Sequence, residues 1–162
     1  MERMPSSFRT FLFGASHPTS LRKKMWLKTY HSTDITGSCY TCNSPIAYNQ
    51  KLAHKYNVRL YELSHNVSIQ EANKKRFHPS YWFFDVNSEH NLFVCCKKCN
   101  RACSTHCLFA WAYCNIKPLN HKKEITTYLR KYPDYFRNYY NKQDKKKQSL
   151  LQKYADDLNI KV

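Results

Sequence analysis

Two Cys-x-x-Cys pairs, two stretches with strand alternation, and helical spacing after the second pair predict an α+β protein. Its core is expected to be small and metal-clamped, with helical extensions on both sides. Composition divides the chain into a basic N-terminal extension over 1–38, a zinc-bound core over 39–116, and a basic helical C-terminal extension over 117–162.

At 162 residues the chain suits one domain with a modest core. Lysine and arginine number 27 against 11 acidic residues, a formal charge of +16. A surplus of that size repels itself and suits a polyanionic partner, nucleic acid ahead of an anionic membrane. No apolar run approaches the length of a membrane span, so no membrane partner is expected. Met1 to Ser16 offers no apolar stretch longer than Phe11 to Phe13, and no signal peptide is expected. The expected setting is intracellular and reducing: cytoplasm, nucleus or a viral replication site. There, eight cysteines favour metal over disulfides.

Leu21 to Tyr30 has a short helical rhythm, with Arg22, Lys23, Lys24 and Lys28 suited to an amphipathic surface helix or a basic arm. Gly37 to Pro45 reads as a tight knuckle in which Cys39 and Cys42 can share one tetrahedral ion. Ala47 to Val58 reads as helix or loop, and Val58 to His65 as a strand. Alternation puts Val58, Leu60 and Glu62 on one face and Tyr61, Leu63 and His65 on the other, with His65 at the strand's end. Residues 66–88 read as an insertion in which Lys74, Lys75 and Arg76 meet phosphates, and Trp82, Phe83 and Phe84 pack or stack on bases.

Asn91 to Cys95 reads as the second strand, followed by one helix from Lys97 or Lys98 through Cys114. A further helix over Lys122 to Tyr132 stops at Pro133, and a last one runs from Asp134 to about Asn159. Cys39, Cys42, Cys96 and Cys99 make a closed, structural, four-thiolate zinc site. Cys95 could replace Cys96, but the spacing to Cys99 favours Cys96. Cys103, Cys107, Ala110 and Cys114 form a helical stripe that suits a buried face. The sharper alternative is a second zinc on Cys103, His106 and Cys107, with His121. Lys97, Lys98, Arg101, Lys145, Lys146 and Lys147 complete the expected nucleic-acid contacts.

Leu60-Tyr-Glu-Leu-Ser-His65, Asn91-Leu92 and Cys96-Lys-Lys-Cys-Asn100, taken in that order, resemble the HNH, or ββα-metal, endonuclease family. The resemblance covers roughly residues 39 to 107. It implies a β-hairpin and a following helix, with a four-cysteine zinc clamping the ends. It also implies metal-dependent hydrolysis of phosphodiester bonds in double-stranded DNA. In that scheme His65 is the general base and Asn100 binds Mg²⁺ or another divalent cation, while Asn91 holds the loop that orients His65. Many members carry Asp or a second His before the catalytic His. Here that residue is Ser64, with Glu62 one alternation back as a water-bridged substitute. The similarity extends to HNH-like proteins of large DNA viruses, some of which also have a small residue there. The rival reading is a non-catalytic zinc-binding, nucleic-acid-binding protein, such as a viral or mobile-element transcription factor. A zinc-stapled interaction protein comes third.

Overall fold

The computed structural model describes residues 18–75 and 85–162. Helix α1 (Thr19–Tyr30) starts directly after Pro18, whose fixed φ suits a helix entry. Met25 and Trp26 are its buried residues, while Lys23, Lys24 and Lys28 stay in water. The Trp26 ring lies 4.5 Å from Tyr30, 5.7 Å from Tyr48 and 4.9 Å from Tyr61. Arg22 crosses the Tyr61 ring at 4.5 Å and donates to the Tyr61 carbonyl, so the arm is fastened to the sheet.

Strands β1 (Thr36–Ser38) and β2 (Pro45–Ala47) pair antiparallel. Gly37 in β1 has the Tyr30 ring 2.5 Å from where a Cβ would stand, so a side chain there would displace the ring. Helix α2 (Gln50–Tyr56) is capped by Asn49, whose side chain accepts from the Leu52 N–H. It carries the chain across to β3 (Arg59–His65), which runs parallel to β2. Helix α3 (Ile69–Lys75) and β4 (Leu92–Cys96) follow. β4 pairs antiparallel with β3 from Tyr61↔Cys96 to His65↔Leu92. Then come α4 (Lys97–Cys103), α5 (Leu108–Asn115), α6 (Lys122–Lys131), α7 (Pro133–Asn141) and α8 (Lys145–Leu158). Among the described residues this is a mixed α+β chain with eight helices and a four-stranded sheet ordered β1-β2-β3-β4.

Four elements differ from the sequence reading. The helix expected through Cys114 breaks after Cys103, where Ser104 takes φ 49°. Asn66 supplies the reason: its carbonyl accepts the Leu108 N–H and its side-chain oxygen the Phe109 N–H. α5 therefore starts afresh on a cap from a distant loop. The last helix is two, because Asp144 accepts from the Lys147 N–H at 2.8 Å and opens α8. The insertion over 66–88 contains α3, and the knuckle is flanked by β1 and β2.

One buried cluster gathers Trp26, Tyr61, Val94, Phe109, Phe136 and Leu158, so α1, the sheet and the C-terminal helices share a core. No described helix is long and apolar enough to cross a membrane.

Candidate metal centre and catalytic site

The knuckle between β1 and β2 is shaped by its backbone. Cys39 N–H donates to the Ser44 carbonyl at 2.8 Å, and Asn43 N–H to the Cys39 carbonyl at 3.0 Å. Asn43 sits at φ 59°, a left-handed value that Asn tolerates. The Tyr40 N–H reaches the Val94 carbonyl at 3.0 Å, and the Asn120 N–H reaches the Thr41 carbonyl at 2.9 Å. One short turn is thereby bonded to the edge of β4 and to the chain entering α6.

The second pair lies where β4 becomes α4. Cys96 is the N-cap residue of α4, and its sulfur accepts the Cys99 N–H at 3.4 Å. The Sγ atoms of Cys39, Cys42, Cys96 and Cys99 all lie within 4.8 Å of one another. Tetrahedral zinc with Zn–S bonds of about 2.3 Å sets its sulfurs about 3.8 Å apart. Cys42 Sγ and Cys96 Sγ are 3.8 Å apart, nearly twice a disulfide bond, and all eight cysteines are free thiols. The four cysteines could therefore hold a metal ion such as zinc, with Cys96 rather than Cys95 in the quartet. Hydrogen bonding with Cys95 and Cys99 holds the Cys39 thiol well below its ordinary range, while the same contacts push Cys95 and Cys99 up.

At the far end of the hairpin, His65 closes β3 and is half-buried. Its Nε2 lies 2.9 Å from Asn87 Oδ1, a hydrogen bond that orients the ring. Burial lowers the His65 pKa from 6.5, partly opposed by Asn87 and Asp85. Asn91 brackets the turn that follows: its Oδ1 accepts from the Val67 N–H at 2.7 Å, and its Nδ2 donates to Val67 O at 3.0 Å and Val86 O at 2.8 Å.

Further back on β3, Asn100 Nδ2 donates to Glu62 Oε2 at 2.7 Å across the hairpin–helix junction. Ser64, on the same face, is 1% exposed and its hydroxyl lies 3.7 Å from Cys103 Sγ. That burial under α4 removes Ser64 as a metal ligand and leaves Glu62 as the carboxylate beside Asn100. The candidate residues thus form two groups, His65 with Asn87 and Asn91 at the strand's end, and Glu62 with Asn100 at its middle.

The second zinc is not formed. Cys103 faces Ser64, Cys107 Sγ donates to Asn66 Oδ1 at 3.2 Å, and His121 stacks on Tyr40 at 4.4 Å. Among the described residues the four-cysteine quartet is the one place where three or more His, Cys, Asp or Glu side chains come close enough to share an ion. Cys103 and Cys107 are buried thiols whose pKa values burial raises, Cys107 to about 12. A cleft of about 540 Å³ opens between α1, β4 and the start of α6, lined by Lys28, Tyr40, His90, His121 and Glu124 among others, and by none of His65, Asn91 and Asn100.

Of the expected phosphate contacts, Lys98, Arg101, Lys145 and Lys146 are exposed, and Lys97 and Lys147 are half-buried. Lys147 lies over the Tyr139 ring at 5.8 Å. Lys74 and Lys75 end α3. Arg76 and the aromatic run Trp82, Phe83 and Phe84 lie outside the described residues. Sequence reasoning missed Asn66, which carried no signal beyond following His65. It also missed Glu71, 5% exposed and ion-paired to Lys142 at 3.4 Å. Ser68-Ile-Gln-Glu71 is a capping-box pattern that could have revealed both α3 and Glu71. No family model, curated protein or solved structure matches the chain.

Proposed function

We propose that this chain is a zinc-braced, HNH-type endonuclease that hydrolyses DNA phosphodiester bonds with a divalent metal. The observation that carries the reading is the order of parts, with His65 closing β3 opposite Leu92 of β4 and the four-cysteine quartet completed where β4 becomes α4. Asn100 gives Nδ2 to Glu62 and keeps Oδ1, an oxygen of the kind Mg²⁺ takes, on the face of β3 opposite His65. A divalent cation supporting the reaction would stand on the His65 side of the strand, where it would offset the charge that builds on the scissile phosphate and the leaving oxygen. Zinc on the four thiolates has no open position and serves as a brace.

His65 is the base. Desolvation favours the neutral imidazole, and the hydrogen bond between Nε2 and Asn87 orients the ring. A water oxygen attacks phosphorus as its proton passes to the His65 imidazole, the phosphorus–O3′ bond breaks, and the O3′ alkoxide takes a proton from solvent. Asn91 fixes the turn after His65 and so the direction of the ring. Nicking of supercoiled plasmid with Mg²⁺ tests the reading. The wild-type protein should nick, and His65→Ala should lose at least about a hundredfold in rate, the scale of one general base. Undiminished nicking by His65→Ala overturns it.

The second reading is a zinc-stapled DNA-binding protein without catalysis. The buried, Cys103-facing Ser64 favours it, since no carboxylate stands directly before His65. Tight DNA binding without nicking by the wild-type protein would select this alternative.

A further inference from the structure

The cleft between α1, β4 and the start of α6 plays no part in the cleavage reading. Its volume of about 540 Å³ suits a ligand of nucleotide size, and its floor is apolar, with Met25, Leu92 and Val94 buried in the core. Three groups of different chemistry stand around it. His121 stacks on Tyr40 with centroids 4.4 Å apart and planes 5° from parallel, which covers one face of the imidazole and leaves the side chain 46% exposed. Glu124, in the first turn of α6, is 61% exposed, and its contact with His121 Nδ1 at 3.7 Å is longer than a hydrogen bond. Among the described residues the Tyr40 hydroxyl has no hydrogen-bond partner, and burial, followed by the nearby Glu124 carboxylate, raises its pKa. Lys28 shares Glu89 with Lys24, whose Nζ is the nearer at 2.5 Å against 3.4 Å. One carboxylate thus faces two ammonium groups, and exposed pairs of this kind are weak, so Lys28 can turn to another anion.

We propose that this cleft binds a guanine nucleotide, with the base on His121, its Watson–Crick edge on the Glu124 carboxylate and its phosphate on Lys28. Guanine presents adjacent N1–H and N2–H donors, which a carboxylate accepts together. Adenine and cytosine set a ring-nitrogen acceptor beside their amino group, and thymine holds its N–H between carbonyl oxygens, so each brings an acceptor against Glu124. Stacking tolerates any base, and the choice therefore falls to the carboxylate. A free nucleotide and an unpaired guanine in a strand share this chemistry, whereas in a duplex the same edge is taken by cytosine. The inference does not rest on cleavage.

The test is isothermal titration calorimetry on the full-length protein at low salt, without added divalent metal. The probes are GMP, AMP, CMP and inosine monophosphate. GMP should bind saturably and most tightly, with inosine monophosphate, which lacks the 2-amino group, weaker. Glu124→Gln should lose roughly tenfold for GMP, the scale of a hydrogen bond to a charged group, and remove its advantage over inosine monophosphate. Lys28→Gln should weaken GMP and leave the nucleoside guanosine unchanged. Displacement of bound GMP by a guanine-bearing single strand, and not by a duplex of the same composition, supports the site with nucleic acid as the source. No displacement by either supports it with the free nucleotide. The exposure of Glu124 makes its substitution one that leaves the core intact, and thermal unfolding checks this. No saturable binding of GMP, equal affinity for GMP, AMP and CMP, or unchanged GMP affinity in Glu124→Gln would overturn the proposal.

Discussion

Asn91 shows how much of this molecule can hang on one amide. It is 3% exposed and spends its side chain on three backbone partners at the two ends of the β3–β4 connection. Asn91→Ala leaves those groups buried without partners, so urea denaturation should register a loss of about 2–4 kcal/mol. At the metal centre, Cys39→Ser should lower bound zinc, measured by elemental analysis, and drop the melting temperature sharply, because ligand binding and folding are one free energy. Cys103→Ser, outside the quartet, should keep its zinc. His65 makes the pH statement. Its folded pKa lies below the ordinary 6.5 through burial, so the neutral base persists as pH falls through 6.5 and is lost only at the lower folded value. The acid limb of nicking rate against pH should therefore have its midpoint below 6.5. The linkage has the same sign: His65 favours the fold above 6.5, and that contribution fades as pH drops through the folded pKa.

At the scale of elements, the sequence was legible wherever local signals ruled. β3 ends on His65 as alternation suggested, β4 (Leu92–Cys96) is shifted by one residue from the expected Asn91 to Cys95, and α6 stops before Pro133. The unbroken helix over Lys97 to Cys114 failed because its interruption is tertiary. Asn66, more than 40 positions upstream of Leu108 and Phe109, replaces the helix's own acceptors at its restart. No pattern inside residues 97–114 announces that. The break before α8 was legible in principle, since Asp144 is a strong N-cap residue followed by a helical run. Asp144→Ala should cost about 1 kcal/mol in chemical denaturation. Of the site, the cysteine quartet was readable because thiolate spacing is local chemistry. The Glu62–Asn100 pair was not, because it forms only when α4 packs on β3.

For the molecule as a whole, the shared core joins α1 and the C-terminal helices to the hairpin, so basic residues from all three regions sit on one body. With a formal charge of +16, DNA affinity should fall steeply as salt rises, with a slope of about −0.9 in log K against log salt for each phosphate neutralised. Titration across several salt concentrations checks this, and a flat response would remove phosphate contact from the account.

The two cysteine pairs meet across a long stretch, Cys42 and Cys96 being 54 positions apart. A cation joining them closes a large ring of chain, and Asn91 pins both ends of the segment inside it. Ring-closure entropy grows only logarithmically, so doubling the length of such a segment costs about 0.6 kcal/mol. Ring-closure entropy alone therefore sets little limit on the length of the β3–β4 connection, so long as Asn66, Val67, Val86 and Asn87 keep the bonds that hold its ends and His65 in place.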